Sequence, residues 1–140
     1  MSNNNKNMGV ISTNNSEITL YIHADNRLAK QSIAVAEASK AITKVVNLNE
    51  VQLTETQWAD LADLLNIKVH ELVNFDHDII TSKLGKNIDV EPNQLLKLLS
   101  QNQAVLKHGI AVRGEQALFI TQINDLMQLQ ESDSGDVRIP

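Results

Sequence analysis

The stretch Leu95–Ile120, "LLKLLSQNQAVLKHGIAVRGEQALFI", says most about how this chain folds. Leu95, Leu96, Leu98 and Leu99 recur at helical spacing and predict a helix with one buried stripe. Pro92 suits the first position of that helix, where a missing N–H costs nothing. Ile110 to Val112 and Ala117 to Ile120 are short β-prone runs flanking Arg113-Gly114-Glu115. They predict a hairpin, with Gly114 supplying a positive φ and Arg113 lying in a solvated turn. A last helix follows, capped by Thr121 and carrying Ile123, Leu126 and Met127.

The N-terminal half begins with "ITLYIHADNRLAKQS", Ile18–Ser32. Ile18, Leu20 and Ile22 alternate with Thr19 and Tyr21, which is the period of a strand. Asp25 and Asn26 compete to cap the helix that follows, whose apolar face is Ala29, Ile33 and Ala36. Ile42 to Leu48 predicts a second strand, and a strand–helix–strand unit with short connections favours a parallel, right-handed crossover. Thr54 and Gln57 form a capping box for a helix bearing Trp58, Leu61, Ala62 and Leu65, with Asn66 as its stop. Trp58 is read as a core residue on that spacing. Helical segments are expected at Lys68 to Asn74 and about Asp76 to Leu84, the second closed by Gly85.

Composition limits the function. The chain has 140 residues, 42% hydrophobic and 3% aromatic, so one domain with an aliphatic core is expected, over residues 17–130. Flexible segments are expected at 1–16 and 131–140. A net charge of -5 argues against direct nucleic-acid or membrane binding. The polar start "MSNNNKNMG" lacks a signal peptide's apolar segment, so a cytoplasmic location is expected. The acidic set Glu55, Asp60, Asp63 and Glu71 reads as a solvated face. The chain contains no cysteine, which excludes a thiolate nucleophile, a disulfide and Cys-ligated metal.

Three stretches together resemble the arsenate reductase/Spx family: "ITLYIHADNRLAKQS", "LTETQWADLADLLNIKVHELV" and the helix–hairpin quoted first. The resemblance runs from Ile18 to about Leu129. It implies an α/β, thioredoxin-like fold: a mixed sheet of about four strands, with a helical insert between a βαβ half and a ββα half. It also implies where function should lie. The family's nucleophilic cysteine falls on Asn26, and its three oxyanion-holding arginines fall on His70, His108 and Thr121. Its cis-proline falls on Gly109, and Lys30 keeps a basic residue on the first helix. A carboxamide does not attack arsenic or sulfur. Imidazole lacks the bidentate, permanently charged geometry of guanidinium.

These changes predict a pseudoenzyme of bacterial type, without cofactor, acting as a binding or regulatory module. Catalytic residues are expected to be none, and a trans bond is expected before Gly109. By resemblance, the Spx branch binds a protein partner, RNA polymerase, although it uses a cysteine pair absent here. A protein partner is therefore expected, with the chain a monomer or weak homodimer. The candidate ligand-binding residues are His23, Asn26, Lys30, His70 and His108. Two alternatives remain open: a reductase-family oxidoreductase working without cysteine, and a metal or anion sensor built from His23, His70 and His108.

Overall fold

Strand β1 (Glu17–Ile22) is the inner strand around which half of the chain assembles. The computed structural model describes residues 11, 14–85 and 89–129; the expectations for residues 1–10 and 131–140 lie outside them. The chain divides into two compact units, Thr13–Asn47 with His108–Pro140, and Met1–Ser12 with Leu48–Lys107.

The first unit holds a four-stranded mixed sheet in the order β2-β1-β3-β4. Strand β2 (Ile42–Asn47) runs parallel to β1, as the crossover rule requires. Strands β3 (Gly109–Arg113) and β4 (Gln116–Ile120) form the antiparallel hairpin, and β3 pairs antiparallel with β1. Helix α1 (Arg27–Glu37) lies on one face of this sheet. Alternation along β1 turns Ile18, Leu20 and Ile22 toward it. They pack with Ala29 and Ala36 of the helix, Ala111, Ile120, Leu126 and Leu129. The buried helix positions are Ala29, Ser32 and Ala36, small residues that let the helix sit close to the strands.

Gly114 has φ +60°, as the hairpin requires. Arg113, however, is not solvated. It is buried, with Nε donating to Asn15 O at 2.9 Å and an Nη donating to Leu129 O at 3.2 Å. The side chain ties the N-terminal approach to β1 and the last helical turn onto the hairpin. Past β4, Ile123–Leu126 forms a 3₁₀ turn capped at Gln122, not at Thr121. Thr121 instead donates its N–H and its hydroxyl to Asp125 Oδ2, both at 2.7 Å.

The second unit is helical. Helix α2 (Glu55–Leu65) has the capping box at Thr54 and Gln57, buries Trp58, Leu61 and Ala62, and stops at Asn66 with φ 60°. Only Val69–Leu72 of the 68–74 segment is helical, as a 3₁₀ turn. Val73 leaves it to bridge Leu106, and Asn74 N–H donates to Val105 O at 2.8 Å. That tertiary pairing outcompetes the helix. Helix α3 (Asp78–Leu84) starts two residues later than expected, because His77 Nδ1 accepts from Ile79 N–H and caps it. Helix α4 (Pro92–Gln101) buries Leu95, Leu96, Leu98 and Leu99. Leu48 belongs to this unit and not to β2.

Tyr21 is buried in β1, and burial pushes its phenol up to about 12. A folded pKa above the unfolded value of about 10 leaves stability untouched below pH 10. Stability then falls by roughly 3 kcal/mol as pH rises through 12. Tyr21 is the only tyrosine, so phenolate absorbance reports it directly. A titration midpoint near 10 in the folded protein would contradict this burial.

Candidate functional site

In the sheet unit, the end of β1 and the start of α1 meet at the turn His23–Asn26. Three hydrogen bonds define this turn. Asn26 N–H donates to His23 O at 3.2 Å, closing it. Ala24 N–H donates to Asn47 Oδ1 at 3.2 Å, holding it beside the end of β2. Asn26 Oδ1 accepts from Ala29 N–H at 2.7 Å and caps α1. Asn26, not Asp25, is thus the cap. Its side-chain oxygen is engaged in holding the helix, and an amide at this position offers neither a nucleophile nor an acid–base group.

The cap gives a measurable expectation. Asn26→Ala leaves the first-turn N–H groups without a side-chain partner and should cost about 1 kcal/mol in urea unfolding; Asn26→Asp should cost much less. Equal losses for the two variants would show that the cap does not support the helix.

Lys30 lies exposed on the first turn of α1, with Arg27 before it and no acidic residue in that turn. His108 leads into β3, whose first residue is Gly109. The β1–β3 register pairs Tyr21 with Ile110. Continued by two residues, it sets His23 across from His108 at the same end of the sheet. The His108 ring meets Phe119 edge-on, with centroids 5.5 Å apart and planes at 69°. No cis peptide bond occurs among the described residues, so the bond before Gly109 is trans, as expected. A Cβ at position 109 would stand 2.7 Å from Ile22 Cγ2 and 3.5 Å from Tyr21 O. The strand approaches β1 at a distance that suits glycine.

Thr121 follows β4 at the same end of the sheet as His108, since Gly109 pairs with Ile120, and has its hydroxyl committed to Asp125. The Thr121 hydroxyl, then its N–H, hold the Asp125 carboxyl below the usual carboxylate range. That arrangement anchors the carboxylate within the chain and takes up the one proton the Thr121 hydroxyl could donate to an external anion.

His70 belongs to the helical unit. Its Nε2 lies 2.8 Å from Val90 O, and since a carbonyl only accepts, Nε2 carries the proton. The ring stacks on Phe75 with centroids 6.3 Å apart. Among the described residues, no group of three or more His, Cys, Asp or Glu side chains is placed to hold a metal ion.

Sequence reasoning missed three polar residues. His77 caps α3. Arg113 is buried under its hairpin. Gln103 is buried in the helical unit, where Oε1 accepts from Leu53 N–H at 2.7 Å. Gln103 Nε2 donates to Leu48 O at 3.0 Å and to Val51 O at 2.6 Å. Only Ser/Thr/Asn/Asp at caps carry a local sequence signal, so none of these three could be found by pattern.

No family model matches the chain, and neither does any curated protein. Solved structures do match. A candidate arsenate reductase from Yersinia pestis is 16% identical with a TM-score of 0.73, covering 79% of this chain and 98% of that one. An arsenate reductase from Vibrio cholerae is 12% identical with a TM-score of 0.75, covering 83% and 99%. A candidate ArsC-family-related protein from Bacteroides fragilis is 12% identical with a TM-score of 0.61, covering 83% and 99%. The mixed sheet of four strands agrees with the expectation drawn from the resemblance. The chain therefore has the thioredoxin-like α/β fold of the arsenate reductase structures it matches.

Proposed function

We propose that this protein is a non-catalytic binding module that keeps the thioredoxin-like frame without its thiol chemistry. One observation carries the reading: the position that resemblance gives to the nucleophile holds Asn26, whose side chain caps α1 through Ala29 N–H at 2.7 Å. No cysteine exists elsewhere in the chain to substitute. The positions given to the oxyanion-holding arginines support it further. His70 is tethered to Val90 O, His108 packs on Phe119, and the Thr121 hydroxyl is bound to Asp125. None offers the fixed bidentate charge that an oxyanion site uses.

In this reading the module works in the cytoplasm, without a cofactor, by holding a protein partner. Among the described residues, no helix is long and apolar enough to cross a membrane, which is consistent with that location. The turn His23–Arg27, exposed at Asp25, Asn26 and Arg27, is with Lys30 the surface through which it would act.

Two measurements test the proposal. Arsenate reduction with glutathione and glutaredoxin should stay at background for the native protein. It should stay there for Asn26→Cys too, even though that thiol becomes alkylatable, because the oxyanion-holding charges are missing. Turnover by the native chain would overturn the proposal. Affinity capture from native lysate should enrich a protein that Lys30→Glu releases. No enrichment over a control bait of the same fold would remove the binding role.

A further inference from the structure

Strand β2 ends the sheet, and among the described residues no strand lies on its outer side. Ile42 N–H donates to Ser16 O at 2.9 Å, and Ile42 pairs with Glu17. The backbone groups of Ile42, Lys44 and Val46 therefore face β1, while those of Thr43 and Val45 face outward. Among the described residues, no backbone hydrogen bond engages the outward N–H and C=O groups of Thr43 and Val45. The same strand carries two of the most exposed large apolar side chains, Ile42 at 62% and Val45 at 40%.

Edge strands of this kind are usually guarded by an unpaired charge, most often lysine. The only charged residue in β2 is Lys44, and its Nζ lies 3.3 Å from Glu17 Oε1 on the neighbouring strand. The guarding charge is thus already partnered within the sheet. Thr43 contributes a second irregularity: its Oγ1 is buried and has no hydrogen-bond partner.

We propose that the outer edge of β2 pairs antiparallel with β2 of a second copy, about a two-fold axis through Thr43. Backbone parity allows few registers, because outward-facing residues must meet outward-facing residues. An axis through Lys44 sets two lysines opposite each other, which is unfavourable. An axis through Val45 sets Ile42 opposite Leu48, beyond the end of the strand, and leaves Ile42 uncovered. The axis through Thr43 sets Ile42 against the aliphatic stem of Lys44 of the second copy, and Val45 against its Ala41. It also brings the two Thr43 side chains face to face. A rotation about χ1 then lets each hydroxyl bond the other, a recurrent cross-strand pair.

One strand pair buries less than the roughly 1,200–2,000 Å² of stable interfaces, so the dimer is weak. Each copy carries a net charge of -5, so added salt should strengthen it by screening repulsion.

Sedimentation velocity on the full chain, from roughly 10 µM to 1 mM, tests the proposal in the range where weak interfaces dissociate. The sedimentation coefficient should rise with concentration, and rise further with salt. Thr43→Pro removes an outward N–H and keeps the β1–β2 bonds, so it should stay monomeric with native circular dichroism. Val45→Lys should weaken association at least tenfold, and it decides the matter if the proline variant misfolds. The cysteine-free chain also permits clean cross-linking. Thr43→Cys should be joined to its copy by a short bis-maleimide, whereas Val45→Cys, about 13 Å from its own copy, should not. The proposal fails if the native chain is monomeric at the highest concentration. It fails equally if Val45→Lys associates like the native chain, or if Val45→Cys cross-links in preference to Thr43→Cys.

Discussion

Gln103→Leu is expected to lower the unfolding free energy by about 3–5 kcal/mol. The native side chain makes three short bonds to the segment between β2 and α2: from Leu53 N–H, and to Leu48 O and Val51 O. Leucine fills a similar volume but strands the buried Leu53 N–H and Leu48 O, each costing on the order of 1–3 kcal/mol, and the half-buried Val51 O, which costs less. Ser100 Oγ donates to Leu53 O and Gln52 Nε2 to Ser100 O, at 2.8 and 2.9 Å, so part of the segment stays tethered. This keeps the loss below the full sum. Against a typical total of about 5–15 kcal/mol, the variant should show a clearly earlier urea midpoint. A loss under 1 kcal/mol would mean that water replaces the amide without penalty.

Gln103→Glu separates hydrogen bonding from packing. Its carboxylate can still accept from Leu53 N–H, but it faces two carbonyl oxygens and cannot donate to them. The folded state should therefore raise the carboxyl pKa above its unfolded value of about 4.3. A raised folded value means that stability is fully present below pH 4.3 and is lost as pH climbs through the folded pKa. The deficit relative to the native chain should thus shrink on acidification. A pH-independent deficit would assign the effect to shape.

The second large effect is expected at Gly109, where resemblance places a proline. Gly109→Ala should cost about 2 kcal/mol, within the range for inserting a methyl group into a filled site. The new Cβ would meet Ile22 Cγ2 at 2.7 Å. Ile22 is 3% exposed and belongs to the sheet-unit core, and a β-branched side chain has few other rotamers to adopt. The strands must shift instead, which should also disturb the His23–His108 end of the sheet. Thermal unfolding measures the first effect, and NMR shifts of the His108 ring protons measure the second. An unchanged melting temperature would show that the β1–β3 spacing yields easily.

Much of the secondary structure was legible because its causes are local. The alternation of Ile18, Leu20 and Ile22 marked β1, and the leucine stripe after Pro92 marked α4. Thr54 with Gln57, Asn66 and Gly114 each answer a backbone need within a few residues, so their identities alone placed two helix ends and a turn. Where a distant partner intervened, local reading failed. Residues 73 and 74 left their expected helix for Leu106 and Val105.

The candidate site divides in the same way. Sequence by itself determined that no thiol chemistry is available and that Asn26 stands at a helix start. Those are facts of composition and order. Only the tertiary structure decided what the polar residues hold. Arg113 looked like a solvated turn residue, yet it binds carbonyls of Asn15 and Leu129, 98 and 16 residues away. His70 is fixed by Val90 and Gln103 by a segment some fifty residues earlier. A polar side chain carries the same letter whether water or a remote carbonyl satisfies it, and only the folded backbone brings that carbonyl within reach.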